Sequence, residues 1–179
     1  MRWHAWMLLA LFPSWAGAHP VDEVVQGAYL TLVPGALRLE LDVTPGVEVV
    51  NTILESLDEN ADQRVTDSEA RAYAQGVLEQ SAITHDGVAV SWTLENVSVP
   101  PHQNLKLGSD TIKIYAVAKR PDSSGAHTLS YENRYQPAKS QWTANVFLQP
   151  GAGWRYHVTG QQRSDDGGQL TVNYTATRP

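Results

Sequence analysis

The run Asp58-Glu59-Asn60-Ala61-Asp62-Gln63-Arg64-Val65-Thr66-Asp67-Ser68-Glu69 places oxygen-bearing side chains at alternate positions and ends in a glutamate. Calcium is a hard cation that gathers several oxygens at ~2.3–2.6 Å, and a tight twelve-residue loop can turn alternate side chains inward around it. Positions 1, 3 and 5 are Asp58, Asn60 and Asp62. Position 7 contributes a backbone carbonyl, so the cationic side chain of Arg64 is no obstacle there. Thr66 at position 9 serves through its hydroxyl or a water, and Glu69 at position 12 can give both carboxylate oxygens. The spacing therefore predicts one calcium site made of Asp58, Asn60, Asp62, Arg64, Thr66 and Glu69, with Val65 as the apolar anchor of the loop. Gln63 stands where such loops normally carry glycine. A Cβ at a left-handed position costs ~1–2 kcal/mol, and ~1.4 kcal/mol is tenfold in affinity. The expected affinity falls in the range of extracellular modules, ~10⁻⁴–10⁻³ M. Thr66 and Glu69 also have capping-box spacing, and Asp58, Asn60 and Asp62 read alternatively as solvated linker residues. No second loop is found: Asp110, Asp122 and Asp165 are followed, eleven residues on, by Pro121, Asn133 and Ala176.

Other chemistry is thinner. His19 follows an expected cleavage point, and an N-terminal amine with its own imidazole chelates copper or nickel. His85, His102, His127 or His157 could add a ligand. The chain has no Cys, which excludes disulfides, thiolate metal sites and thiol catalysis. It contains no G-x-S-x-G elbow, H-E-x-x-H pair, P-loop or G-x-G-x-x-G loop. The expectation is a non-enzymatic protein. A net charge of −6, from 13 Lys+Arg against 19 Asp+Glu, leaves no basic face for nucleic acid. Tyr131, Tyr135, Trp142, Trp154 and Tyr156 make the second half aromatic-rich, which suits core packing or a carbohydrate or peptide surface.

These residues need elements to hold them. Residues 1–18 read as a secretory signal peptide: Arg2, the apolar run Trp6 to Phe12, and small residues ending Ala16-Gly17-Ala18. The expected product is one periplasmic or secreted β-rich domain over residues 19–179, with no transmembrane segment of its own. Residues 24–33 predict a strand with Val25, Tyr29 and Leu32 packing inward. Leu37, Leu39, Leu41 and Val43 then alternate with polar residues and complete a hairpin. At Pro45-Gly46 the period changes. Val47, Val50, Ile53, Leu54 and Leu57, then Ala70, Tyr73, Val77 and Leu78, keep helical spacing on either side of the acidic loop. This makes a helix–loop–helix insertion at 47–82. Val88 to Leu94, Ile112 to Ala116, and segments near 127–132, 143–148, 153–161 and 169–176 read as further strands, with Pro100 to Asn104 as an irregular loop. The fold class expected is mostly β, an antiparallel sandwich or open barrel, carrying an EF-hand-like insertion.

The layout also resembles a known family. A leader ending Ala-His-Pro, a hairpin, an EF-hand-like pair, and Tyr131-x-x-x-Tyr135-Gln136-Pro137-Ala138-Lys139-Ser140 are similar to the exported β-domain of HupE/UreJ-like and related nickel/cobalt-transport-like bacterial proteins. The resemblance implies a bacterial periplasmic setting and a membrane-protein partner. It does not carry over a transport role, since the membrane helices of those proteins have no counterpart in these residues.

Overall fold

The computed structural model describes residues 21–108 and 110–178. The expected signal peptide and His19 lie outside the described residues. Alternating sequence pairs off first. β1 (Val24–Val33) and β2 (Ala36–Pro45) form an antiparallel hairpin from Val24↔Pro45 to Val33↔Ala36. Gly35 makes the turn at φ 75°. The aliphatic row Leu37, Leu39, Leu41 and Val43 is buried, as its period of two demands. Each such side chain contributes roughly 1.5–3 kcal/mol of transfer free energy.

In β1 Leu32 packs inward as expected, but Val25 and Tyr29 fall outside the buried row. Val24, Gln26, Ala28, Leu30 and Leu32 face inward, while Tyr29 is exposed. The inward row contains Gln26, a polar residue that masks the alternation. Its amide donates to the Tyr135 carbonyl at 2.8 Å and accepts from Asn133 Nδ2 at 2.9 Å, so its burial leaves neither end unpaired.

The chain then forms α1 (Val50–Leu57), α2 (Asp67–Glu79), β3 (Ser81–His85), β4 (Val88–Ala89) and β5 (Thr93–Ser98). The segment from Val88 to Leu94 is thus two short strands rather than one, and Val88 points to solvent. The helical region is also shorter than 47–82, and Val47 lies exposed ahead of α1. Pro100 to Asn104, expected as an irregular loop, instead leads into α3 (His102–Lys106), anchored by the fully buried Leu105. One leucine docking on the body outweighs a polar local sequence.

β6 (Ile112–Lys119), β7 (Gly125–Asn133), β8 (Ser140–Leu148), β9 (Arg155–Arg163) and β10 (Gln169–Thr177) complete the fold. The strands form two sheets, β5-β6-β2-β1-β8 and β4-β3-β7-β10-β9. One core cluster takes side chains from both sheets, from Val50, Ile53, Leu54 and Leu57 of α1, and from Tyr73, Ala74, Val77 and Leu78 of α2. The result is a β-rich sandwich in which α1 and α2 carry the chain from the first sheet to the second. It is not wholly antiparallel: β8 pairs with β1 in parallel, from Val24↔Ser140 to Leu32↔Leu148. Hydrophobic alternation encodes which face is buried but not strand direction, so the sequence could not reveal this pair.

Candidate metal centre

The acidic loop sits between the end of α1 and the start of α2. Both helices are held by their apolar faces, so the loop ends are fixed before any ion is considered. Leu57 is fully buried and Val65 packs, half-buried, against the core. Between them the backbone curls around Asp58, whose side chain is 4% exposed. Asp62 N–H donates to Asp58 Oδ1 at 3.2 Å and Gln63 N–H to Oδ2 at 2.9 Å. Asn60 Oδ1 accepts from Asp62 N–H at 2.9 Å, and Asp62 Oδ1 from Arg64 N–H at 2.8 Å. These local bonds satisfy amides that no helix reaches. Ala61 and Gln63 both take positive φ, 57° and 65°. Gln63 therefore adopts the left-handed conformation expected at the sixth loop position, with a Cβ in place.

Glu69 completes a capping box at the start of α2. Its Oε2 accepts from Thr66 N–H at 2.8 Å and from the Thr66 hydroxyl at 2.7 Å, while Glu69 N–H donates to Thr66 Oγ1 at 3.3 Å. The bonds from Thr66 hold the Glu69 carboxyl below the usual range, and the Asn60 amide acts in the same direction from across the loop. The capping reading is thus realised, and Glu69 also lies close to the third loop position.

Tertiary packing adds a neighbour. α3 sets His102 Nε2 3.7 Å from Asp58 Oδ2, with both side chains almost fully buried. An open cleft beside the loop is lined by Asn51, Glu55, Asp58, Gln63, His102 and Lys106. The sequence offers His102 only as a companion ligand to His19, and its separation from Asp58 along the chain gives no hint of this contact.

A second cluster lies on the other sheet. His85 ends β3, Asp86 follows in the turn, and His127 comes from the adjacent β7. One ligand atom from each lies within 4.8 Å of the others, the single such gathering of three His, Asp or Glu ligands among the described residues. Asp58, Asp62 and Glu69 do not converge to this degree. The adjacent His85-Asp86 pair was visible in the sequence, but only strand pairing brings His127 to it.

The aromatic residues of the second half mostly serve packing. Tyr131, Tyr135 and Trp154 are buried, and Trp142 and Tyr156 half-buried. Among the described residues no helix is long and apolar enough to cross a membrane. No protein-family model matches this chain, and no curated protein matches it significantly.

Proposed function

We propose that the protein is an exported, non-enzymatic calcium-binding module whose loop at 58–69 takes one Ca²⁺. The observation that carries this reading is the curl of the loop around the Asp58 carboxylate, with Gln63 held at φ 65° although it is not glycine. A left-handed non-glycine residue on an exposed loop costs ~1–2 kcal/mol and calls for a reason. The donor chemistry fits a hard cation. Asp58, Asn60, Asp62, Thr66 and Glu69 offer side-chain oxygens at the expected positions, and Arg64 a carbonyl. The ion supplies positive charge where three carboxylates share one bend. Asp58 anchors it on the α1 side and Glu69 on the α2 side, so that binding ties together two helices that belong to one core. Because α1 and α2 already share one core, calcium on this reading acts as a brace across the loop. The resemblance to HupE/UreJ-like exported domains supports a periplasmic setting and a membrane-protein partner.

Because calcium binds the folded state, a concentration of 100 Kd raises stability by ~2.7 kcal/mol. Thermal melts with and without millimolar calcium should show an upward shift that Glu69→Ala and Asp58→Ala each abolish. Glu69→Ala also loses its cap, so the comparison is the shift within each variant, not the melting point between variants. An undiminished shift in both variants refutes the site.

A further inference from the structure

We propose that His85, Asp86 and His127 form a second metal site, one for a first-row divalent transition ion of the zinc type, distinct from the calcium loop. The argument begins with the hydrogen bonds of His127. Its Nε2 lies 2.8 Å from the Ser123 carbonyl, which can only accept, so Nε2 carries a proton. Its Nδ1 then faces Asp86 Oδ2 at 2.8 Å. In the neutral ring this puts a nitrogen lone pair against a carboxylate oxygen, a repulsive contact until a cation, a proton or a metal ion, sits between them. His85 Nδ1 approaches the same Asp86 oxygen at 3.7 Å, and the two imidazoles stack at 5.2 Å with 24° between their planes. Two imidazoles and one carboxylate thus bring ligand atoms within 4.8 Å of one another.

The surrounding shell has the form that metal-ligating histidines require. Such a histidine gives its remaining N–H to a fixed acceptor, which sets its tautomer and ring orientation. His127 gives Nε2–H to Ser123 O. His85 Nε2 sits 2.8 Å from the hydroxyl of Tyr174, which is 1% exposed, and that oxygen can accept the corresponding N–H. Asp86 Oδ1 is held by Thr128 N–H at 2.8 Å, leaving Oδ2 for the cluster. The nearby cation, Arg120, is paired with Asp122 at 2.9 Å, which reduces its repulsion of an incoming ion. The His85 and His127 side chains are 9% and 7% exposed, but that of Asp86 is 44% exposed. The buried imidazoles and open carboxylate leave one side for entry and for a bound water. Three protein ligands with nitrogen and oxygen donors and an open fourth position suit zinc, which binds such atoms at ~2.0–2.2 Å. Calcium, an all-oxygen ion, is poorly served by two imidazoles.

The test uses the full untagged chain, stripped with chelator and then saturated with calcium so that the acidic loop is masked. Titration with Co²⁺ as the zinc surrogate should give one equivalent with the intense visible absorption of a four-coordinate site, displaced by Zn²⁺. His127→Gln and His85→Gln should abolish it, and Tyr174→Phe, which touches only the outer partner, should weaken binding about 10–100-fold. His157→Gln, in an exposed strand, and His19→Ala should leave it unchanged. Loss of the signal in His19→Ala, or its survival in both His127→Gln and His85→Gln, overturns the proposal. A direct readout does not depend on variants that fold: with one equivalent of Zn²⁺, the Nδ1 resonances of His85 and His127 in the wild-type protein should shift, while both Nε2 stay protonated. Unshifted Nδ1 resonances mean that the cluster is only a proton-bridged pair. Glu69→Ala, which removes a loop ligand, should leave cobalt binding as it is in the wild type whether or not the loop takes calcium, so failure here and failure of the calcium loop are separable.

Discussion

Replacing Gln63 with glycine probes the strain at the centre of the acidic loop. Gln63 has φ 65° and an exposed side chain, and its backbone N–H donates to Asp58 Oδ2, a bond that glycine keeps. Removing the Cβ relieves ~1–2 kcal/mol of left-handed backbone strain. Glycine also gives the unfolded chain more freedom, which takes back ~0.4–1 kcal/mol. The net expectation is a gain of about 0.5–1 kcal/mol, or roughly 1–4 °C in Tm for a domain of this size. Where free and calcium-bound forms share the strain, the gain appears in Tm alone. Where calcium imposes part of it, that part appears in Kd, up to about tenfold if the whole ~1.4 kcal/mol is released on binding. Thermal melts with and without calcium, paired with calorimetric titration, measure both quantities. A Gln63→Gly protein that melts lower and binds calcium more weakly refutes the reasoning, because it would mean the glutamine side chain stabilises a bend that its Cβ should oppose.

Two further outcomes follow from the sandwich. Gly167, in the turn between β9 and β10, has φ 78°, and an added Cβ would lie 2.1 Å from the Trp142 carbonyl oxygen, so Gly167→Ala should destabilise by about 2–5 kcal/mol in denaturant titration. A cost below about 1 kcal/mol would show that this turn moves freely away from β8. Burial holds the Tyr73 hydroxyl, 2.9 Å from that of Tyr135, well above its usual ionisation range, and Tyr135 adds to the effect. The folded state therefore keeps a proton that the unfolded chain gives up above about pH 10, and stability must fall as pH rises past that point. Tyr73→Phe should melt somewhat lower at neutral pH but lose less stability between neutral pH and about pH 11; an unchanged alkaline loss would place the effect elsewhere.

How much of this was legible in the sequence varied with the kind of information involved. The leucine row of β2 and the apolar faces of α1 and α2 were readable because burial on one face imposes a period on the chain. The helix–loop–helix was readable for the same reason, and its candidate ligands because an ion demands oxygens at fixed intervals along one short segment. In β1 the local pattern favours Val25 and Tyr29 over the true buried row because Gln26 occupies a core position, and what makes a buried glutamine acceptable is its bonding to Tyr135 and Asn133, more than a hundred residues away. α3 escaped notice because its stability rests on docking Leu105 rather than on local propensity.

Local spacing thus determined the strand faces, the helix pair and the acidic loop, since each is a pattern within a few turns of chain. Only the tertiary structure decided the parallel pairing of β1 with β8, the approach of His102 to Asp58, and the meeting of His85 and Asp86 with His127. Those contacts join residues remote in sequence, and what selects them is how the strands and helices α1 to α3 close over one core, a condition that no single segment records.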